Sequence, residues 1–365
     1  MSTVPEPGPT VIFGPDAVTD PDTAREVLGS AFAQRGLAGD VRFAGDAHGF
    51  DSVIRSAAPD SVVVPGVVRL AEVPGAEFVH VDLVARDRID AGGVRTYIRG
   101  RGLDGLRYAV DAWYFHRLRP ATLVSYGERA EQVVDVRTPA GPGPHPVAVL
   151  IHGGYWKPWW DRDLMDAAAV DLTARGFATW NIEYRRPGAH GWDATTADVA
   201  AALAAIGAAP ASFDRDRVVV LGHSAGGQLA LRAGADAVAS GAPVRPALLV
   251  SLAGVLDLRT ADERGLGDGA VQAALGHRYH PASEVYRSSS PLERVPIGIP
   301  QVAVCGDADV PDLREITRHY ARRATAAGDR VELVQPPGDH FAVIDPRSES
   351  WRRTIEAMTA SLHRR

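Results

Sequence analysis

Gly222-His223-Ser224-Ala225-Gly226-Gly227 places a serine at the centre of a G-x-S-x-G pattern. It directly follows Val218-Val219-Val220-Leu221, an apolar β-branched run of strand length, and directly precedes a helical pattern. A sharp strand-to-helix turn holds a serine in strained backbone angles and exposes its Oγ above the sheet as a nucleophile. Glycines on both flanks keep neighbouring side chains out of the crowded corner. The same residues also suit a glycine-rich turn whose serine caps the following helix. Other motifs must decide between the two.

His152-Gly153-Gly154-Tyr155-Trp156 follows another strand-like run, residues 147–151. Attack on an acyl carbon builds a negative oxygen, and each preorganised donor aimed at it is worth about 2.7–4 kcal/mol of barrier. A Gly-Gly pair after a central strand lets the backbone approach the substrate, so Gly153 and Gly154 are assigned as donors, with the N–H of Ala225 as their partner. His152 precedes the loop instead of following the last strand, and reads as a structural, hydrogen-bonded histidine.

A nucleophilic serine needs a base and an acid to orient it, in the chain order Ser…Asp…His. Strand-like residues 330–334 lead to Gly338-Asp339-His340-Phe341, and residues 301–305 lead to Gly306-Asp307-Ala308-Asp309-Val310-Pro311. His340 is therefore the expected base and Asp309 the expected acid, with Asp307 as the alternative. Asp339 reads as a solvated loop carboxylate. Tyr155 and Trp156 are expected to contact substrate, since aromatic walls suit a flat or apolar group. Trp159 and Trp160 fit packing and substrate contact equally, and Met165 and Cys305 read as core.

Short β-branched runs alternate with helical patterns through both halves, predicting a parallel sheet covered by helices in each. In residues 1–120, strands are expected at 10–13, 41–44, 61–64, 77–83 and 94–98, with helices at 23–35, 50–57 and 106–118. A boundary is expected around 119–129, where Pro120 interrupts and the apolar period resets. In residues 121–365, strand 132–136 is expected to pair antiparallel, followed by a Pro/Gly-rich turn at 139–146. The remaining strands fall at 147–151, 178–183, 217–222, 247–252, 301–305 and 330–334. Helices fall at 164–175, 196–206, 227–234, 313–327 and 351–362, and residues 257–300 read as an irregular segment in the position of a lid.

The 365 residues are 45% hydrophobic and 23% charged, enough apolar content to bury a core in each half. A formal net charge of -6 gives no basic footprint for nucleic acid or an anionic membrane. The apolar runs are strand-length, far too short to span a bilayer, and residues 1–9 carry no leader pattern, so the expectation is a soluble cytoplasmic protein. One cysteine excludes an internal disulfide framework and a cysteine-based zinc cluster, and no metal or cofactor is expected.

Residues 121–365 resemble the kynurenine-formamidase and feruloyl-esterase-like branch of the α/β hydrolases. The resemblance rests on His152–Trp156, Asn181-Ile-Glu-Tyr-Arg-Arg186, Trp192 with Asp198-Val-Ala-Ala-Ala202, Gly222–Gly227, Leu252-Ala-Gly-Val-Leu-Asp-Leu258, Gly306–Pro311 and Gly338–Phe341. It implies an α/β-hydrolase fold acting on a carboxylic ester or an aryl formamide, with an aromatic or cyclic small-molecule substrate. The acid loop is shorter than the family's usual form, which is why Asp307 stays beside Asp309.

Residues 10–117 are similar to a type II 3-dehydroquinate dehydratase, a flavodoxin-like, doubly wound parallel-sheet domain. The likeness rests on Gly14-Pro15, Asp46-Ala-His-Gly49, Val64-Pro-Gly66, His80-Val-Asp82 and Tyr97-Ile98 with residues 100–106. Val64 stands where that family holds substrate with asparagine, Asp82 stands where it has histidine, and the loop after the first strand has no tyrosine. Valine forms no side-chain hydrogen bond, and aspartate is no proton relay at neutral pH. The likeness implies a domain inactive as a dehydratase that binds a ligand, shapes the hydrolase entrance or drives homo-oligomerisation. A lyase acting on a quinate-like substrate through this half is the alternative function, and a scaffold with both halves degenerate the third.

Overall fold

The computed structural model describes residues 5–57, 60–68, 70, 75, 77–84, 94–210 and 212–364. The reading of the first four residues as free of a leader pattern lies outside them. The backbone divides into two compact units, Met1–Pro120 and Ala121–Arg365.

The first unit runs β1 Glu6–Phe13, α1 Pro21–Arg35, β2 Leu37–Phe43, α2 Ala47–Ser56, β3 Val62–Val64, β4 Phe78–Asp82, β5 Val94–Arg99 and α3 Asp104–Leu118. All strands are parallel, in the order β2-β1-β3-β4-β5, the doubly wound flavodoxin-like arrangement. Both faces of such a sheet are covered, so alternate residues of one strand serve two cores. Val11, Phe13, Val62, Val64, Val79 and Val81 pack against Leu28, Phe32, Leu106 and Val110 of α1 and α3. Ile12, Val63 and Phe78 pack against Phe50 and Ile54 of α2. Asp20 caps α1 by accepting from the N–H groups of Asp22 and Thr23.

The second unit begins with β6 Thr122–Ser125, β7 Val133–Arg137, β8 His145–Ile151, α4 Asp166–Ala174, β9 Ala178–Ile182, α5 Pro187–His190 and α6 Trp192–Ala205. It continues with β10 Phe213–His223, α7 Ala225–Ser240, β11 Leu248–Leu252, α8 Leu258–Glu263, α9 Leu266–Leu275 and α10 Glu284–Ser289. It closes with β12 Gln301–Val304, α11 Pro311–Ala326, β13 Val331–Val334 and α12 Glu349–His363. The eight strands lie in the order β13-β12-β11-β10-β8-β9-β7-β6. β7 is antiparallel to both neighbours, and the strands from β9 across to β13 are mutually parallel. This is an α/β-hydrolase fold. Its central strands are continuous apolar runs because both faces are buried: Val147–Ile151 and Val218–Leu221 are wholly inaccessible.

Two stretches differ from the sequence expectation. Residues 257–300 are not irregular but carry α8, α9 and α10. Left-handed residues at Gly265, Gly267, Asp268 and Gly269 break the segment into pieces too short to show a helical period. Within the expected boundary at 119–129 lies β6, a four-residue strand whose mostly exposed side chains leave no apolar alternation to read.

The parallel arrangement brings the carboxyl ends of β8, β10, β12 and β13 to one edge of the sheet, as the chemistry requires. The β10–α7 corner is drawn tight there. A Cβ on Gly222 would run into the backbone of Gly226 and Gly227, and one on Gly226 into the carbonyls of Ile151 and His152. Gly222→Ala should therefore destabilise the protein by about 1–3 kcal/mol or more, measured as a fall in the urea midpoint at unchanged slope. Wild-type stability in that variant would contradict the packing of the corner.

Candidate active site

Ser224 sits between β10 and α7 at φ 54°, ψ -118°, a strained combination for a residue with a side chain. Its N–H donates to the Leu252 carbonyl at 2.8 Å, and its own carbonyl accepts from the N–H groups of Gly227 and Gln228 at 2.9 and 3.3 Å. These bonds hold the turn from both sides. Ala225 is the first residue of α7, so no intrahelical carbonyl can take its N–H.

The loop after β8 passes directly over the serine: a Cβ on Gly153 would lie 3.0 Å from that of Ser224. Gly154, Tyr155 and Trp156 follow at φ 106°, 51° and 56°, and the Lys157 N–H closes the turn onto the Gly154 carbonyl at 2.9 Å. The ring of Trp160 packs against Gly154, leaving no room for a side chain there.

His152 is wholly buried and underpins this loop. Its Nδ1 lies 2.7 Å from the Gly153 carbonyl, and its Nε2 lies 2.9 Å from Nη2 of Arg186. Nε2 also lies 3.3 Å from Oε1 of Glu183, so the ring is held between the Gly153 carbonyl on one side and the Arg186–Glu183 pair on the other. Arg186 also donates to Glu183, to the Trp160 carbonyl at 2.6 Å and to Asp161 at 3.3 Å. Burial opposes ionisation of Glu183, but the Arg186 guanidinium outweighs it and holds the carboxyl well below the usual range. His152 thus fixes a peptide plane and is not placed to act as a base.

At the far edge, Nδ1 of His340 lies 3.1 and 3.0 Å from the two oxygens of Asp309. Asp309 is buried and also accepts from the Val310 N–H at 2.6 Å and the Cys305 thiol at 3.5 Å. Burial penalises its charge, yet the hydrogen bond from His340, the His340 charge and these other donors keep it below the ordinary carboxyl value. Of the two carboxylates the sequence left open, Asp309 meets the imidazole, while the exposed Asp307 accepts from the Gly338 N–H at 3.1 Å. Asp339 accepts from the N–H groups of Phe341 and Ala342, shaping the loop that carries His340. With Nδ1–H directed at Asp309, Nε2 of His340 has a free lone pair. Among the described residues, Ser224 Oγ and His340 Nε2 form no hydrogen bond. Such contacts are commonly loose without substrate and tighten in the complex.

The aromatic residues divide. The Tyr155 ring lies against Gly267, where a Cβ would come within 2.8 Å of it; burial, then Asp309, Asp268 and Asp312, raise its phenol pKa. Trp156, expected to contact substrate, is corrected: it is buried and packs edge-on against Trp192 with centroids 5.6 Å apart. Trp159 lies 5.6 Å from Nζ of Lys157, whose ammonium bonds the Gly267 carbonyl at 3.1 Å.

Phe341 is 43% exposed beside the His340 ring, with centroids 5.5 Å apart, and lies 6.2 Å from Trp160. The sequence reading assigned it no role, although an aromatic residue immediately after the base was a visible signal. Among the described residues no group of three or more His, Cys, Asp or Glu side chains is arranged to hold a metal ion, and no helix is long and apolar enough to cross a membrane.

Residues 134–310 match the BD-FAE family model. Esterase LipC of Mycobacterium tuberculosis is 30% identical over 245 residues, covering 62% of this chain and 59% of LipC; the match thus spans under two thirds of that relative. The solved Bacterial Heroin Esterase is 25% identical with a TM-score of 0.56, over 67% of this chain and 84% of that one. Esterase LipW from Mycobacterium marinum shares the fold at 24% identity and a TM-score of 0.58, over 70% of this chain and 86% of that one.

Two measurements check the acid–base pair. Asp309→Asn should slow reaction of Ser224 with a fluorophosphonate by about 10⁴-fold, because an amide no longer holds the Nδ1–H tautomer; Asp307→Asn should slow it far less. Because Asp309 titrates below its ordinary value in the fold, its ionised form adds stability above about pH 4 that is lost as pH falls through the lower folded value. The difference in urea midpoint between wild type and Asp309→Asn should accordingly shrink below that pH.

Proposed function

We propose that residues 121–365 form a serine hydrolase that cleaves a carboxylic ester or an aryl formamide through an acyl-enzyme. The observation that carries this reading is the meeting, at one sheet edge, of a serine in a strained turn, the backbone of Gly153 and Gly154 over it, and the Asp309–His340 pair. Likeness to esterases over most of this unit supports the ester chemistry.

In this mechanism Oγ of Ser224 attacks the acyl carbon as Nε2 of His340 takes its proton. The oxyanion accepts from the N–H groups of Gly153, Gly154 and Ala225. Asp309, ionised and hydrogen-bonded, stabilises the imidazolium. His340 then passes the proton to the departing alkoxide or amine, and water reverses the sequence to release the acid.

An aromatic leaving group suits the flank of the base. The departing atom must lie near Nε2 of His340 to receive its proton, and the exposed Phe341 ring with Trp160 offers a flat apolar surface beside it. Tyr155 stands on the lid side of the loop. This supports aromatic esters and N-formylkynurenine-like aryl formamides over simple alkyl esters.

For the first unit we infer a domain without dehydratase activity that serves ligand binding or homo-oligomerisation. Val64 supplies no polar group at the end of β3, and Asp82 is buried with the Tyr97 hydroxyl donating to it. Incubation with 3-dehydroquinate should yield no conjugated product; its appearance would reinstate the lyase reading.

A fluorophosphonate probe should label the wild-type protein once and leave Ser224→Ala unlabelled; labelling that survives the substitution excludes the mechanism. Across a panel of aryl formamides, aryl acetates and alkyl acetates, Phe341→Ala should lower kcat/KM for the aryl members by about tenfold, the value of roughly 0.5–1.5 kcal/mol per ring contact, and spare the alkyl ones. An equal loss on both classes would remove the aromatic preference.

A further inference from the structure

We propose that His223 is a positioning residue whose imidazole holds the loop of the base at a fixed distance from the oxyanion loop. It rests on the hydrolase reading for its consequence in catalysis, but its structural content stands on geometry.

His223 is the last residue of β10, immediately before Ser224, and is 1% exposed. On one side, its Nε2 lies 3.0 Å from the backbone carbonyl of His340. The carbonyl can only accept, so Nε2 carries the proton and Nδ1 the lone pair. The ring also lies against the side chains of that loop, with centroids 4.7 Å from His340 and 5.7 Å from Phe341. On the other side is Gly153, where a Cβ would come within 2.9 Å of Nδ1 and 2.8 Å of the His223 carbonyl. Nδ1 finds no hydrogen-bond partner among the described residues, so this face of the ring meets the oxyanion loop by packing alone.

One side chain therefore touches the nucleophile's strand, the donor loop and the base's own backbone. Residues 338–342 are also restrained by the bonds of Gly338 to Asp307 and Ala308, of the His340 ring to Asp309, of the Ala342 carbonyl to Ser348, and by the loop's own turn at Asp339. Of these only the Asp309 bond reaches His340, and it does so through the side chain. A hydrogen bond to the base's carbonyl restrains where its Cα stands, and hence how far Nε2 of His340 reaches toward Oγ of Ser224. Burial, and then the neighbouring His340, push the His223 pKa down to about 3, so it keeps this single neutral tautomer throughout the range in which His340 must exchange protons. A charged ring there would oppose the imidazolium that forms on His340.

The test compares His223→Leu, His223→Asn and His223→Gln. Leucine fills the space without a donor, asparagine is polar but too short, and the glutamine amide can donate from near the position of Nε2. With p-nitrophenyl acetate, Leu and Asn should lower kcat by about 10–100-fold with KM nearly unchanged, the scale of a misplacement of about 1 Å, and Gln should restore most of the loss. Amide hydrogen exchange across residues 338–342 should quicken in Leu and Asn and return toward wild type in Gln, with circular dichroism confirming that each variant folds. Wild-type kcat and exchange in Leu, or Gln behaving like Leu in both readouts, would overturn the proposal. If the folded wild type neither turns over esters nor accepts the fluorophosphonate, the hydrolase reading fails, and the exchange pattern alone decides whether His223 positions the loop.

Discussion

The approach of the β10–α7 corner to the end of β8 is the contact on which the carboxyl edge of the second sheet depends. Gly222 pairs with Ile151 in the sheet, and Gly226 lies against the carbonyls of Ile151 and His152. That separation brings the start of α7 and the loop after β8 together at Ser224. The turn is strained: a non-glycine residue in this backbone region costs about 1–3 kcal/mol. The Ser224 N–H bond to Leu252, the bonds its carbonyl accepts and the wholly buried strands beneath offset that cost. Strain is retained at the serine because the surrounding packing leaves it no other conformation.

Behind the oxyanion loop lies a body of buried charge. Arg186, Glu183, His152 and Asp161 meet at the end of β9; Arg162 joins Asp135 at 2.7 Å, and Arg137 joins Asp166 at 2.9 Å. Burying such groups removes their hydration, and their mutual attraction does little more than return it. Their contribution is orientation. Arg186 and Glu183 hold one side of the His152 ring, the other side meets the Gly153 carbonyl, and the trans peptide ties the N–H of Gly154 to that carbonyl's orientation. The Asn181–Arg186 segment, remote from Ser224 in sequence, therefore bears on the backbone of the loop after β8 through two intervening groups.

The first unit uses the same parallel-strand physics to another end. In this strand order a ligand crevice normally opens between β1 and β3, where the topology reverses. Here Gly14 lies against Pro65 and Gly66 against Ala17, so the two loops pack backbone to backbone across that position. On β4 and β5, His80 stacks edge-on against Tyr97, and the Tyr97 hydroxyl donates to Asp82.

The order of strands and helices was readable because both units bury their sheets on two faces, and that condition writes unbroken apolar runs such as Val218–Leu221 directly into the chain. The positions of Ser224 and the Gly153-Gly154 pair at strand ends were readable for a related reason: each is separated from such a run by at most two residues, whereas His340 lies six residues beyond the end of β13, a strand that is only partly buried. The three short helices of 257–300 were not, since their periods are cut by left-handed residues. Nor could local sequence choose between Asp307 and Asp309, two residues apart on one turn, or know that Trp156 turns inward while Phe341 stays exposed. Those outcomes depend on which neighbours arrive from residues more than a hundred positions away in some cases, as His340 does at His223. A strand end is a local property of the chain, but the direction a loop side chain takes is set by contacts that exist only once the sheet has assembled.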